Sequence, residues 1–216
     1  MDFYVHEIFK SIQGESSYAG FLCTFVRFAG CNLKCAYCDT VETQNSDIAL
    51  SMSMEEILQS VNRLSCHLVL LTGGEPLLQN HIIPLCNELQ RLNYTILIET
   101  NGTMGIEDFS DNIRFIMDVK CPGSAMAGSF AEKNLSFIKP VDELKFVISD
   151  RDDYLWAKQY LIQHNLTNRC GLIFSPVWGK IPLSDIAEWI IEDNLSHVRL
   201  QVQLHKLIWG PEAKGV

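Results

Sequence analysis

The sequence predicts an α/β fold built on a parallel sheet, and three observations carry that prediction. Short β-branched or aromatic runs alternate with stretches of helical period, the pattern of repeated βαβ units. Of the 216 residues, 47% are hydrophobic and 20% charged, the balance of a globular protein with a substantial core. No repeat, low-complexity tract or long linker interrupts the pattern, so residues 1–216 are expected to form a single domain.

Taken in order, strands are expected over residues 5–11 and 22–28, both rich in β-branched and aromatic side chains. A helix follows over 54–64, where Met54, Ile57, Leu58, Val61 and Leu64 share one face and Ser53 with Glu56 has capping-box spacing. After a strand at 68–73, the next helix puts Ile82, Leu85, Cys86, Leu89 and Leu92 on one face, with Asn80 as N-cap. Strands at 95–100, 114–120 and 143–149 come next. The long irregular connection at 121–142 is of the kind that often forms a lid or mobile segment. Helices near 152–164 and 184–193, the second opening at Ser184, alternate with strands at 171–175 and 197–203.

Net charge is −9, from 17 basic and 26 acidic residues, which argues against nonspecific binding to a polyanion; no nucleic-acid partner is expected. No apolar run reaches membrane-spanning length and the first residues lack an apolar signal core, so a cytoplasmic location away from membranes is expected. In that reducing setting the eight cysteines mean metal or catalysis more often than disulfides.

In parallel α/β architectures, chemistry gathers beyond the carboxyl ends of the strands. Here SIQGES follows the first strand, AGCNLKCAYCDT the second, GGEP the third, TNGT the fourth and KCPGS the fifth. Five successive strand ends therefore point at one site. Within it stand three thiols, Cys31, Cys35 and Cys38. Structural zinc needs four closed ligands, yet Cys23, Cys66, Cys86 and Cys170 are solitary and mostly inside apolar runs. Three thiolates suit an iron–sulfur cluster instead, with one iron left for another ligand.

Cys31-X-X-X-Cys35-X-X-Cys38, with the aromatic Tyr37, resembles the cluster motif of radical S-adenosylmethionine enzymes. The resemblance implies a partial TIM-type barrel of parallel strands with outer helices, a 4Fe-4S cluster and S-adenosylmethionine at its open iron. LTGGEP (71–76) is similar to the Gly-Gly-Glu-Pro segment of that family. It implies that Gly73, Gly74 and Glu75 hold the cofactor's methionine amino group, glycines allowing close backbone approach and Glu75 accepting from an ammonium. Tyr37, Asp39 and Ser175 are assigned to the cofactor in the same way, as are Glu99 toward the ribose hydroxyls, Asp118, and Lys120 toward the carboxylate.

SIQGES, FVRFAGCNL and CDT narrow the resemblance to the 7-carboxy-7-deazaguanine synthase family, over a span from about Phe9 to QLHK at 203–206. It implies that Ile12, Gln13, Gly14, Glu15, Arg27 and Thr72 bind a pterin and that Thr40 ligates magnesium, a cation that favours hard oxygens. Arg27 alternates with Val26 and Phe28, so its guanidinium is expected in the barrel interior, where it needs an anionic partner. The implied reaction starts with a cofactor-derived radical taking hydrogen from C6 of 6-carboxy-5,6,7,8-tetrahydropterin. Ring contraction with loss of ammonia then gives 7-carboxy-7-deazaguanine for 7-deazapurine (queuosine-type) biosynthesis. Implied partners are an external electron donor such as flavodoxin or ferredoxin, and a second copy in a homodimer. In the family the C-terminal segment, here with His205 and Lys206, closes over substrate. Ser16 departs from the glycine of many members and Tyr37 from a common tryptophan. Two alternatives remain at this point. A glycyl-radical-enzyme activating enzyme would need an open peptide groove, and an iron–sulfur electron carrier would need a fourth protein ligand.

Overall fold

Alternating apolar runs become neighbouring strands, laid down almost in chain order. The computed structural model describes residues 2–47 and 49–216. Among them, β1 (Asp2–Ile12), β2 (Leu22–Phe28), β3 (Leu50–Ser53), β4 (Leu68–Gly73), β5 (Thr95–Thr100), β6 (Arg114–Asp118), β7 (Glu143–Ile148), β8 (Gly171–Pro176) and β9 (Val198–Leu200) form one sheet. Its order is β3-β1-β2-β4-β5-β6-β7-β8-β9. Only β1 breaks the parallel run, lying antiparallel to both β2 and β3. The outermost strands β3 and β9 do not pair, so the expected partial barrel stays open.

The helices are α1 (Met54–Leu64), α2 (Ile82–Arg91), α3 (Arg151–Gln163), α4 (Leu183–Glu192) and α5 (Leu204–Trp209). Strand alternation sorts the core into two layers. Val69 and Leu71 of β4 pack outward with Ile57 and Val61 of α1 and Leu85 and Leu89 of α2. Leu68 and Leu70 turn inward to join Cys23, Phe25, Leu97 and Ile116. Burial on both faces is why β4 reads as an unbroken apolar run. The inner layer is capped by the stacked rings of Phe9 and Phe25, 4.9 Å apart, and it plugs the lower part of the barrel. No helix among the described residues is long and apolar enough to cross a membrane.

The capping box of α1 is present: Ser53 Oγ accepts from Glu56 N at 3.3 Å, and Glu56 Oε2 accepts from Ser53 N at 2.7 Å. Asn80 is not the N-cap of α2. That helix starts at Ile82, whose N–H is taken by the Gln79 carbonyl in a preceding turn, and no side chain caps it. Nor does Ser184 open α4, which begins at Leu183 behind Pro182. β3, only four residues long, was outside the expected strands. The strand expected over 197–203 ends at Leu200, and the chain turns into α5. The 121–142 connection contains two short 3-10 turns, Pro122–Ser124 and Glu132–Ser136.

Candidate active site

Above the Phe25 and Leu70 side chains the barrel opens into a cavity of about 630 Å³ at the carboxyl ends of its strands. Cys31, Cys35 and Cys38 all line it, half-buried and free. Their loop is held from several sides. Gly30 N donates to the Thr43 carbonyl at 2.7 Å, Ala36 N to the Ser124 carbonyl at 2.9 Å, and the Tyr37 hydroxyl to the Val147 carbonyl at 3.1 Å. Burial pushes the Cys31 and Cys35 thiols up, and the nearby Lys120 ammonium pulls the other way. A bound iron would complete that pull, since metal ligation takes the thiolate. Among the described residues no three His, Cys, Asp or Glu side chains gather tightly enough for a single metal ion.

The Gly-Gly-Glu-Pro turn is tied to its neighbours. A Cβ on Gly73, whose φ is +122°, would lie 2.1 Å from the Phe28 carbonyl oxygen; one on Gly74 would lie 2.2 Å from that of Gly30. The glycines thus let this turn press against the end of β2 and the cluster loop. Gly74 N donates to the Phe28 carbonyl and Glu75 N to that of Gly30, at 2.9 and 2.8 Å. The Glu75 side chain is fully buried behind the cavity wall. Its carboxylate accepts from Leu77 N at 3.0 Å, Thr100 Oγ1 at 2.7 Å and Asn101 N at 2.7 Å. Burial still pushes its pKa up. Its hydrogen bonds join the ends of β4 and β5. Ser175, at the end of β8, and Gly14 are likewise absent from the cavity lining.

Charged side chains converge on the cavity. Lys120 and Asp118 pair at 2.8 Å with side chains only 13% and 14% exposed. For Lys120, burial lowers the pKa, but the neighbouring Asp118 and Cys35 together outweigh it and the net shift is upward. Asp118 Oδ1 is buried and has no hydrogen-bond partner. Lys145, on β7, donates to Glu15 Oε2 at 2.7 Å and to Glu99 Oε1 at 2.5 Å. Thr72 Oγ1 reaches the other Glu99 oxygen at 3.4 Å. Arg27 faces the cavity as expected, but its Nε bonds Glu7 Oε1 at 2.8 Å, directly across the β1–β2 register, and its guanidinium lies over the Phe9 ring. Gln13, Ile12 and Thr40 also line the space, Gln13 Oε1 accepting from Glu15 N at 3.2 Å.

The C-terminal segment forms the outer wall. Gln203 Nε2 donates to Glu15 Oε1 at 2.9 Å, and Lys206 Nζ to Asp39 Oδ2 at 2.8 Å. Burial raises the Asp39 pKa, but the Lys206 ammonium overrides it and holds the carboxyl at about 2. Gly14 serves this wall: a Cβ there would lie 2.2 Å from His205 Nδ1. Sequence reasoning missed Lys145, Glu7 and Gln203. Lys145 did leave a signal, a lone lysine inside the apolar run ELKFVI, since an unpaired lysine is almost never buried.

The sequence profile described as the Radical SAM superfamily matches residues 25–120. A 7-carboxy-7-deazaguanine synthase of Koribacter versatilis is 44% identical, over 98% of this chain and 99% of its own. One from Chlorobaculum tepidum is 40% identical, over 98% and 96%. Among solved structures, QueE from Escherichia coli superposes with a TM-score of 0.76 at 24% identity, over 95% of both chains, a likeness of fold.

Proposed function

The chain belongs to the 7-carboxy-7-deazaguanine synthase family of radical SAM enzymes, and on that footing we propose that it converts 6-carboxy-5,6,7,8-tetrahydropterin to 7-carboxy-7-deazaguanine, with ring contraction and loss of ammonia. The family's 4Fe-4S cluster and S-adenosylmethionine supply, when bound, a carbon radical that can take hydrogen from the substrate. Cys31, Cys35 and Cys38 would hold the cluster. Asp118 Oδ1, an orphaned buried acceptor, and its partner Lys120 offer an acceptor and a cation to the amino acid part of the cofactor. Glu99 would meet the ribose. Tyr37, Asp39, Gly73 and Gly74 border the same space, while Glu75 acts from behind through the backbone it holds.

For the pterin, the apolar floor of Phe25 and Leu70 offers a surface for the ring. Arg27 offers cationic N–H donors to the substrate carboxylate, and Gln13, Glu15 and Thr72 offer polar atoms to the ring edge. Thr40, two residues beyond the third cysteine with its Oγ1 4.0 Å from the Cys38 sulfur, is the proposed magnesium ligand on the substrate side of the cluster. The enzyme would work in the cytoplasm as a single-domain protomer of a homodimer, reduced by a flavodoxin or ferredoxin.

One observation carries the reading: the three thiols and the candidate pterin contacts Arg27, Glu15 and Thr72 line one cavity over an apolar floor. Anaerobic reconstitution with iron and sulfide, then incubation with reductant, S-adenosylmethionine, magnesium and 6-carboxytetrahydropterin, tests it. Formation of 7-carboxy-7-deazaguanine is expected. A reconstituted enzyme that cleaves the cofactor yet leaves the pterin intact would remove the substrate assignment.

A further inference from the structure

We propose that Lys145 is a positioning residue for substrate recognition: its buried ammonium ties Glu15 to Glu99 and keeps both carboxylates ionised, so that Glu15 faces the cavity as an acceptor for the N–H donor edge of a flat heterocycle while Glu99 stays an acceptor for the cofactor's ribose. The proposal rests on the pterin reading of the site. Three sets of observations support it. First, Lys145 is 4% exposed, on a strand whose other side chains are mostly apolar. Second, its Nζ stands 2.7 Å from Glu15, 2.5 Å from Glu99 and 4.0 Å from Asp118, carboxylates from three different strand ends. Third, the free oxygen of each tied carboxylate is itself held, Glu15 Oε1 by Gln203 and Glu99 Oε2 by Thr72. Each carboxylate is therefore gripped at both oxygens, which fixes its aim.

The charges around Lys145 explain why a cation is needed there. Asp118 and Lys120 face it from the end of β6, Asp39 from the cluster loop, and His205 from α5 faces the same two glutamates. Without the ammonium, Glu15 and Glu99 would be two partly buried like charges beside Asp118, and the cheaper state is one of them protonated. A protonated carboxyl presents a donor where the pocket needs an acceptor. Substrate discrimination of this kind is strong, because a mismatched buried polar group is left unpaired.

The test compares reconstituted wild type with Lys145→Met and Lys145→Arg, with cluster content and melting temperature checked for each. Pterin affinity is titrated anaerobically from pH 6 to 9 with S-adenosylmethionine present. Infrared spectra of ¹³C-glutamate-labelled holoenzyme, without pterin, report protonated carboxyl groups. Wild type should bind with little pH dependence. Lys145→Met should bind at least tenfold more weakly at pH 6, with the deficit shrinking toward pH 9, and should show a protonated glutamate band at pH 7 that wild type lacks. Lys145→Arg should restore the flat profile. Lys145→Gln gives the same comparison if the Met variant does not fold. Wild-type affinity in the Met variant, or an equal loss at every pH with no new band, would overturn the proposal. If wild type itself fails to bind the pterin, the substrate reading falls, and the infrared band alone decides the role of Lys145.

Discussion

Cys31, Cys35 and Cys38 border the cavity, whereas Cys23 and Cys86 are sealed in the two apolar layers with thiols pushed up to about 12 by burial. At pH 8 the sealed pair is therefore neutral and unreactive. Alkylation of the cluster-free fold, mapped by mass spectrometry, should label the three cavity thiols and spare Cys23 and Cys86 until the protein unfolds. After reconstitution, an Ala substitution at any cavity cysteine should abolish the cluster absorbance, and one at Cys86 should not. Arg27 carries a second prediction. Arg27→Ala should weaken pterin binding by about 2–5 kcal/mol, the usual cost of truncating one member of a buried charge pair, and Arg27→Lys should recover only part of it. Anaerobic titration with the pterin measures both, and unchanged affinity in the Ala variant would remove Arg27 from the substrate site. The inward direction of Arg27 was legible from its alternation with Val26 and Phe28. Its partner Glu7 was not, because the β1–β2 register shifts at an irregularity between Val5 and Glu7, just where Glu7 comes opposite Arg27.

At the scale of elements, the long helices were legible because two or three turns of periodicity define a face, and Ser53–Glu56 marked the start of α1. Their ends carry a signal that the sequence reading did not use: Asn93, Asn165 and Asn194 follow α2, α3 and α4 in left-handed conformation, with φ of 63°, 50° and 50°. Six-residue α5 offered too little periodicity to be read, and propensity alone does not sustain so short a helix. Its place comes from contacts with the first loop, Leu204 N donating to the Gly14 carbonyl at 3.0 Å. One connecting turn departs from this economy. Ala125 closes the Pro122–Ser124 turn at φ 61° with an exposed side chain that makes no use of the position. The left-handed region costs a Cβ-bearing residue roughly 1–2 kcal/mol, partly offset by the unfolded-state entropy that glycine adds. Ala125→Gly should therefore raise stability by about 0.5–1 kcal/mol, read as an upward shift of the thermal midpoint. A lower midpoint would show that the turn tolerates alanine without strain.

For the whole molecule, the parallel sheet and the gathering of motifs at its carboxyl end were legible because both follow from chain order and strand alternation. The cover over the cavity was expected only from the family resemblance, and the contacts that hold it were not legible, since they join residues more than 150 positions apart, such as Lys206 with Asp39 and Gln203 with Glu15. Lys206→Met should loosen that cover. Hydrogen exchange should quicken across 204–214, while β4 and β5 keep their protection, because the two apolar layers are untouched. Exchange unchanged in 204–214 would mean that the segment's other contacts, among them Lys214 with Glu42 at 2.8 Å and Leu204 N with the Gly14 carbonyl, hold it without Lys206. The same arrangement has a bearing on manufacture. On a ribosome adding about 5–20 residues per second, the cysteine loop is made roughly ten to thirty seconds before the residues that wall it in. The three thiols are thus on the growing chain well before Lys145, Pro176 and the C-terminal residues that enclose them have been made.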